Sequence, residues 1–384
     1  MSGAHPGLNI RLLFLGDPRY DRRLKSFTDF LRSSGHNIEV ICGITTNEEL
    51  DGIGADVIKL NSAAGPRKFL EYHRKLSSKL LKAPAVDLVI ACDLYSLGAA
   101  AIAKRKGLAK RAIYDSREVY LELPSLIGRP FVKSIWKRFE HRHLAAMDAI
   151  LVTGTYDFQA IFAAHDFIPR GLLIRNLPVL KPFTVDSNFR KRHSIPQDAL
   201  LFVYLGGLQK GRGLQAFIQA LPRIDAISGF VIIGDGPERA KLGHLANDLI
   251  KEGRVIFTGQ VESGEALSIL GACDIGVSLI EPLSMSYEYA LPSKLFEYMA
   301  ARLVTISSPL VHVRELFGDK EPWLFFADPS NLDEVVCVGR DAIVASRNSE
   351  VRDRARKLFE DGLNASIELP KLESLIEEIF SATK

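Results

Sequence analysis

Glycine and basic residues alternate in the segment LFVYLGGLQKGRGLQAFIQAL, where a strand is expected to end and a helix to begin after Gly213. Gly206 and Gly207 would let a phosphate group approach the backbone closely, because glycine has no Cβ. The amides at the start of the helix favour an anion, and Lys210 and Arg212 add positive charge beside them. The segment therefore predicts a diphosphate-binding turn. A tight strand-to-helix turn explains the same glycines without a ligand.

A second anion site is indicated by VSLIEPLSMSYEYALPSKLFEYMAA, in which a helix is predicted to begin near Pro292 and Ser293. Proline is tolerated in the first turn of a helix, and serine can cap it. Lys294 adds a cation, and Glu297 lies one turn later on the same face, where it could accept hydrogen bonds from two ribose hydroxyls. The alternative interpretation is a capping-box glutamate in an ordinary helix.

A third turn, in VIIGDGPERAKLGHLANDL, contains Gly234 and Gly236 after a predicted strand. Arg239 occupies the place of the third glycine of a dinucleotide-binding fingerprint, which disfavours an NAD-dependent enzyme. The next strand ends near Gly259, and its backbone could lie against a nucleotide base.

Acidic residues follow two predicted strands in the first half of the chain. Asp93 follows one of them, and Asp115 and Glu118 follow the next. Ligands of parallel sheets bind beyond the carboxyl ends of strands. We therefore expect Asp93 or Glu118 to orient or deprotonate a substrate hydroxyl, with Asp93 preferred. Capping of the following helices is the alternative role.

Short apolar runs alternate with amphipathic stretches along most of the chain, which predicts an α/β fold with parallel sheets. We expect two Rossmann-like domains that face each other across a cleft, at residues 1–178 and 179–365, joined by a proline-containing connection that starts near Pro178. Residues 366–384 are predicted to form a helix that crosses back to the first domain. The predicted strands are Ile10–Leu15, Ile38–Ile41, Leu88–Cys92, Ala112–Tyr114, Ala149–Thr153 and Leu172–Ile174 in the first half, and Leu200–Leu205, Phe230–Ile233, Val255–Phe257, Ile275–Leu279, Val304–Ser307 and Trp323–Phe326 in the second.

The composition is that of an ordinary globular protein, with 47% hydrophobic and 25% charged residues among 384. A net charge of +3 gives no argument for nucleic acid as a partner. The four cysteines lack the short spacings of disulfide frameworks or zinc sites, which fits a reducing cytoplasm. No apolar stretch is long enough to cross a bilayer. We expect a cytoplasmic protein, and contact with the inner face of a membrane stays open.

In their order and separations, these segments resemble the retaining glycosyltransferases of family 4, the glycosyl transferases group 1, which have the GT-B fold. The resemblance is carried by GRGL, GDGPE, FTGQV and LPSKLFEYMAA in the second half and by ACDLYSL, YDSREVY, DAILVT and IRNLP in the first. It implies that a hexosyltransferase moves a sugar from a nucleotide diphosphate sugar to an acceptor hydroxyl, with retention and without a metal. The donor-site residues implied are Gly206, Gly207, Lys210, Arg212, Gly234, Val261, Tyr289, Pro292, Ser293, Lys294 and Glu297.

Within that resemblance, Arg212 matches a residue that contacts the diphosphate, Glu297 matches the carboxylate that holds the ribose, and Val261 matches the base-contacting strand end. The chain departs from the family at Tyr289, where a glutamate is common, and at Arg117, where a histidine is common. Gly207 replaces an arginine, and Arg302 and Val304 replace a glycine and a proline.

The sequence also bears directly on the metal. No two aspartates are separated by one residue, as a metal–diphosphate clamp would require, so Lys210, Arg212, Lys294 and helix amides are predicted to neutralise the leaving diphosphate. No cofactor is expected. The acceptor is a glycan, a lipid-linked sugar or a small molecule. Alternative functions are a sugar-nucleotide epimerase or hydrolase on the same scaffold, or a binding partner without turnover.

Two basic, aromatic stretches keep association with an anionic membrane open: GPRKFLEYHRKLSSKLLKAP and RPFVKSIWKRFEHRHL. In the first stretch, Phe69, Tyr72, Leu76 and Leu80 share one helical face. The preferred interpretation of that stretch is a solvated helix whose apolar stripe packs on the N-terminal sheet.

Overall fold

A computed structural model of the chain describes residues 7–45, 54–180, 182 and 184–382. The chain divides into two units. The N-terminal unit consists of Met1–Asn176 and Ser366–Lys384, and the C-terminal unit consists of Leu177–Ala365. Parts of the predicted domain ranges, at residues 1–6, 46–53, 181, 183 and 383–384, lie outside the described residues.

The N-terminal unit is built on a parallel sheet of seven strands in the order β3-β2-β1-β4-β5-β6-β7. The strands are β1 Asn9–Leu15, β2 Asn37–Ile44, β3 Ala55–Lys59, β4 Val86–Ala91, β5 Ala109–Ser116, β6 Ala149–Val152 and β7 Arg170–Leu173. Its helices are α1 Arg22–Ser33, α2 Gly65–Leu80, α3 Leu94–Arg105, α4 Pro130–Leu144 and α5 Thr155–Ala164, with short 3₁₀ turns at Tyr120–Glu122 and Pro124–Leu126. All six strands predicted for this half are present. Strand β3 was not predicted. It is an edge strand in which only Ile58 is buried, so its apolar pattern is weak.

One core cluster of the N-terminal unit lies between this sheet and helices α2 to α5, and α1 buries Leu24, Phe27 and Leu31 as well. Leu88, Val89 and Ile90 of β4 are fully buried, as expected for a central strand of a parallel sheet. Tyr72, Leu76 and Leu80 of α2 belong to the same core. The apolar stripe of α2 therefore packs on the N-terminal sheet, as the preferred interpretation predicted.

The C-terminal unit is built on a parallel sheet of six strands in the order β10-β9-β8-β11-β12-β13. Its elements are α6 Phe189–Arg192, β8 Leu201–Leu205, α7 Leu214–Ile224, β9 Gly229–Ile233, α8 Arg239–Leu245, α9 Asn247–Lys251, β10 Val255–Gly259, α10 Ser263–Gly271, β11 Ile275–Ser278, α11 Met285–Glu288, α12 Ser293–Ala300, β12 Val304–Ser307, α13 Val311–Phe317, β13 Leu324–Phe326, α14 Leu332–Ser346 and α15 Ser349–Gly362. Every strand predicted for this half is present, so the prediction of two Rossmann-like parallel-sheet domains is confirmed.

The last two helices are α16 Ala365–Glu368 and α17 Pro370–Ser381. Leu372, Leu375 and Ile376 of α17 are buried. Glu368, which is 1% exposed, pairs with Arg175 at 2.7 Å, so the end of the chain is tied to the segment that follows β7. None of the helices in the described part of the chain combines the length and the apolar composition needed to cross a membrane.

Candidate functional site

The glycine turn after β8 is packed against the turn after β9. The amide of Gly206 donates to the carbonyl of Ile233 at 2.9 Å, and the amide of Gly234 donates to the carbonyl of Gly259 at 2.8 Å. Gly234 has φ of +134°, and a Cβ there would lie 2.1 Å from the carbonyl oxygen of Gly206. Three strand ends of the C-terminal unit meet closely at this edge, and for that reason only glycine fits at Gly234.

Gly207 differs from its neighbours in this turn. It is exposed, its φ lies outside the left-handed region, and a Cβ there would meet nothing closer than the Cγ of Gln209 at 3.8 Å. Packing and backbone geometry therefore do not require glycine at Gly207. A ligand that packs against the Cα of Gly207 would favour glycine there.

Lys294 from α12 reaches the same turn. Its ammonium lies 3.6 Å from the ring centroid of Tyr204, and a Cβ on Gly206 would lie 3.5 Å from Nζ. The hydroxyl of Tyr204 donates to the carbonyl of Gly207 at 2.9 Å. Tyr204 thus supports both the lysine and the glycine turn. Burial raises the pKa of Tyr204 to about 12, so it stays a neutral hydrogen-bond donor.

Arg212 lies on the other side of the turn, just before α7. Its guanidinium stacks on the ring of Tyr287, with 4.7 Å from Cζ to the ring centroid. Lys210 is exposed. Gly213 caps α7 with φ of +63°, and a Cβ there would lie 2.5 Å from the carbonyl oxygen of Leu279. The structure therefore places Arg212 at the start of α7, as the sequence predicted.

Helix α12 begins at Ser293, and Pro292 occupies the N-cap position without a side-chain cap bond. The idea that Ser293 caps this helix is wrong, because Ser293 is already inside the first turn. Lys294 is 8% exposed and Glu297 is 2% exposed, so both charged side chains are buried one turn apart. The hydroxyl of Tyr298 accepts from the amide of Leu205 at 3.1 Å and donates to a carbonyl of β11 at 3.0 Å, which fixes α12 against the sheet.

Two other residues predicted for the donor site have visible packing roles. The ring of Tyr289 meets the ring of His312 edge-on, with centroids 5.6 Å apart. His312 in turn contacts Glu315 at 2.7 Å. Val261 packs against a core cluster that includes Tyr298. Contacts of Tyr289 with a sugar and of Val261 with a base stay predictions.

In the N-terminal unit, Asp93 is 4% exposed and caps α3. One carboxylate oxygen accepts from the amide of Ser96 at 2.7 Å, and the other accepts from the amide of Leu15 at 2.6 Å. Burial raises the pKa of the Asp93 carboxyl. These contacts are those of the alternative, capping role, and the catalytic role of Asp93 stays a prediction. Glu118 is exposed.

Arg117 and Asp115 belong to an ion-pair cluster at the end of β5. Arg23 binds the buried carboxylate of Asp115 at 2.6 Å, and the Nε of Arg117 lies 3.2 Å from the same carboxylate. Arg117 also pairs with Asp21 at 2.5 Å and lies over the ring of Phe14. The arginine at the position where the resemblance implies a histidine is thus held in place by two carboxylates.

Two pairs of tyrosines beside these sites were not predicted from the sequence. The rings of Tyr204 and Tyr287 make cation–π contacts with Lys294 and Arg212, respectively. Tyr95 and Tyr120 contact each other edge-on at 5.7 Å. Burial, Asp93 and the charge of Glu118 raise the pKa of Tyr95 to about 12. The position of Tyr95 two residues after Asp93 was the available clue. Within the described residues, no three His, Cys, Asp or Glu side chains are grouped as a metal site requires.

The C-terminal unit thus presents a tight glycine turn, a buried ammonium and a stacked guanidinium at one sheet edge, an arrangement suited to a diphosphate. Residues 199–338 match the family described as Glycosyl transferases group 1. The matched segment runs from β8 into α14 and therefore contains the glycine turn, Arg212 and all of α12.

Similar proteins support the same comparison. The chain is 30% identical to the putative teichuronic acid biosynthesis glycosyltransferase TuaC of Bacillus subtilis over 129 residues. These residues are 34% of this chain and 30% of that protein. The sucrose-phosphate synthase of Thermosynechococcus elongatus superposes with a TM-score of 0.76 at 16% identity, over 97% of this chain and 100% of the other. Anabaena HepE in complex with UDP-glucose gives 0.72 at 15% identity, over 96% and 99%. At these identities the two structures show a shared fold, that of GT-B glycosyltransferases.

Proposed function

We propose that this protein is a glycosyltransferase that moves a hexose from a nucleotide diphosphate sugar to an acceptor hydroxyl, with retention of configuration and without a metal ion. One observation carries the proposal: the ammonium of Lys294, more than nine-tenths buried, lies against the glycine turn after β8. The ring of Tyr204 holds this ammonium at the turn through a cation–π contact. At that place its positive charge would attract the negative charge of a diphosphate.

The charges at the turn are suited to a leaving diphosphate. Lys294, Arg212 and Lys210 supply three cations, and the amides of Gly207 and of the first turn of α12 supply hydrogen-bond donors. Preorganised donors and cations of this kind stabilise the charge that develops on a leaving group. We propose that they replace a divalent ion in this enzyme. Glu297, one turn deeper in α12, would then hold the ribose hydroxyls.

For the acceptor, we propose that Glu118 contacts the hydroxyl and that Asp93 positions the strand ends around it. Glu118 is exposed, whereas both oxygens of Asp93 are engaged by backbone amides. The departing phosphate oxygen can serve as the base in a retaining front-side reaction. The acceptor we propose is a glycan or a lipid-linked sugar, met at the cytoplasmic face of a membrane.

The test is an assay of nucleoside diphosphate release from a panel of nucleotide sugars, with and without glycan and lipid-linked acceptors. UDP-glucose is the first donor to try, because the HepE complex holds it. We expect release that depends on acceptor, persists in a chelator and gives a product whose anomeric configuration, read by NMR, equals that of the donor. Release that is independent of acceptor would indicate a hydrolase. An inverted product or a loss of activity in the chelator would refute the corresponding part of the proposal.

A further inference from the structure

The two basic stretches identified in the sequence form neighbouring helices of the N-terminal unit. The ring of Phe69 in α2 lies 5.6 Å from that of Trp136 in α4, and the ring of His73 lies 6.1 Å from that of Phe139. Gly98 of α3 lies beneath the second pair, since a Cβ there would be 2.7 Å from the ring of His73 and 2.8 Å from that of Phe139. Helices α2 and α4 therefore share one outer surface.

The side chains that flank these ring contacts are exposed. Leu70 follows Phe69 and is 70% exposed, and Ile135 precedes Trp136 and is 50% exposed. Phe131, one turn before Ile135, is 76% exposed. We define the α2–α4 face as the exposed residues Arg67, Leu70 and Arg74 of α2 together with Phe131, Ile135, Arg138 and Arg142 of α4. Their spacings of three and four residues place each set on one side of its helix.

The charge of this surface is strongly one-sided. Helix α2 carries five Lys and Arg against one Glu, and α4 carries four against one Glu, so the two helices hold a net charge of +7 in a chain whose total is +3. The acid of α4, Glu140, is buried and bonded to Tyr114 and His165, so it does not offset the surface charge. Three of the lysines counted here are paired with carboxylates, Lys75 with Glu71, Lys79 with Asp56 and Lys133 with Glu122. Within the described residues, the four arginines of the face make no ion pair with a carboxylate, so they carry the unbalanced charge.

We propose that the α2–α4 face docks this protein on an anionic membrane surface. Leu70, Phe131 and Ile135 would enter the boundary between headgroups and acyl chains, and the arginines would bind lipid phosphates. Exposed large apolar side chains mark interaction surfaces, and apolar residues ringed by basic ones fit anionic lipid in particular. This inference rests on the proposed function only in its setting, because a docked enzyme would meet a lipid-linked acceptor at the same surface.

The energetics can be put as a change in membrane affinity. A basic residue near an anionic bilayer strengthens binding by about fivefold at physiological salt. Removing both Arg138 and Arg142 should therefore weaken binding by about 25-fold. Replacing Phe131 and Ile135 by serine removes the two apolar anchors of α4 and should lower binding further without unfolding the helix, since both are at least half exposed.

The experiment is co-sedimentation of the full chain with vesicles of phosphatidylglycerol and phosphatidylcholine, compared with vesicles of phosphatidylcholine alone. The variants are Arg138→Ala/Arg142→Ala and Phe131→Ser/Ile135→Ser. The matched controls lie on α15 and α14 or between them: Arg347→Ala/Lys357→Ala removes the same charge, and Val344→Ser removes an apolar side chain that is 71% exposed. We expect binding to the anionic vesicles only, weakened by the first two variants and unchanged by the controls.

Equal binding to neutral vesicles, or losses of equal size in the controls, would overturn the proposal. So would self-association in the absence of lipid that Phe131→Ser/Ile135→Ser abolishes, because the face would then serve a second copy. The assay contains no nucleotide. Its result is therefore independent of the donor site. If the protein binds these vesicles but binds no nucleoside diphosphate in a separate calorimetric titration, the proposed function is refuted and the docking proposal stands.

Discussion

Replacing Gly207 by alanine separates a ligand-binding glycine from a structural one. A Cβ at Gly207 meets no atom closer than 3.8 Å and φ lies outside the left-handed region, so the fold should tolerate the methyl group. A gain in stability of about 0.4 to 1 kcal/mol is expected from the reduced entropy of the unfolded chain. The methyl group would, however, take the space of a phosphate oxygen that packs against the Cα of Gly207 while accepting from its amide, and that hydrogen bond would be lost or lengthened.

Loss of one hydrogen bond to a charged oxygen costs about 1.5 to 3 kcal/mol, which is about a ten- to 150-fold weaker affinity. Calorimetric titration with nucleoside diphosphates measures it, with urea unfolding as the check on stability. Gly264→Ala is the matched control, because a Cβ at Gly264 would have no atom within 4 Å and Gly264 lies outside the turn. Gly234→Ala should instead unfold the unit, since its Cβ would be 2.1 Å from a carbonyl oxygen. Unchanged affinity in a folded Gly207→Ala protein would refute the placement of the diphosphate.

Arg212→Ala should lower turnover by about a hundredfold with the fold intact. The control Arg314→Ala removes another arginine stacked on an aromatic ring and should leave turnover unchanged. Near-native kinetics of Arg212→Ala would show that the diphosphate binds elsewhere. Glu297→Gln should weaken donor binding by about tenfold or more with a smaller effect on turnover, whereas unchanged binding with collapsed turnover would make Glu297 an acid–base group instead. Because the pKa of Asp93 is raised by burial, its carboxyl binds more protons in the folded than in the unfolded state, so its contribution to stability falls as pH rises from the ordinary value of 3.8 through the raised value. Urea unfolding of Asp93→Asn across that window should show a smaller fall than the wild type, and an identical pH dependence would contradict the assignment. Glu118→Gln should leave stability unchanged within about 0.5 kcal/mol while lowering turnover; full activity would remove Glu118 from the acceptor site.

Features of the fold could be predicted from the sequence where their cause lies in residues that are close together along the chain. The strands could be predicted because each buried run is continuous in sequence, and β3 could not, because an edge strand buries little. The glycine turn was visible because positive φ and close backbone approaches restrict residue type at Gly234 and Gly213. Capping by Asp93 was anticipated only as an alternative, since the same carboxylate type serves both roles.

The contacts that the sequence could not supply are tertiary. Tyr204 lies beneath Lys294, 90 positions later in the chain, and nothing in either segment indicates the other. The α2–α4 face joins two basic stretches that are separate in sequence. The ring contacts of Phe69 with Trp136 and of His73 with Phe139 show that they form one surface. Local composition suggested membrane contact for each helix, but the continuity of the surface depends on packing over α3.

The most direct test of the central claim is calorimetric titration of UDP, GDP, ADP and CDP into the wild-type protein and into Lys294→Met, in the presence of a chelator. Methionine keeps the length of the side chain and removes the charge. The expected result is that one nucleoside diphosphate binds the wild type with one-to-one stoichiometry and binds Lys294→Met at least about tenfold more weakly, as for the loss of a charged hydrogen bond. Binding of equal strength to both proteins, or no binding of any of the four to the folded wild type, would contradict a diphosphate site at the glycine turn.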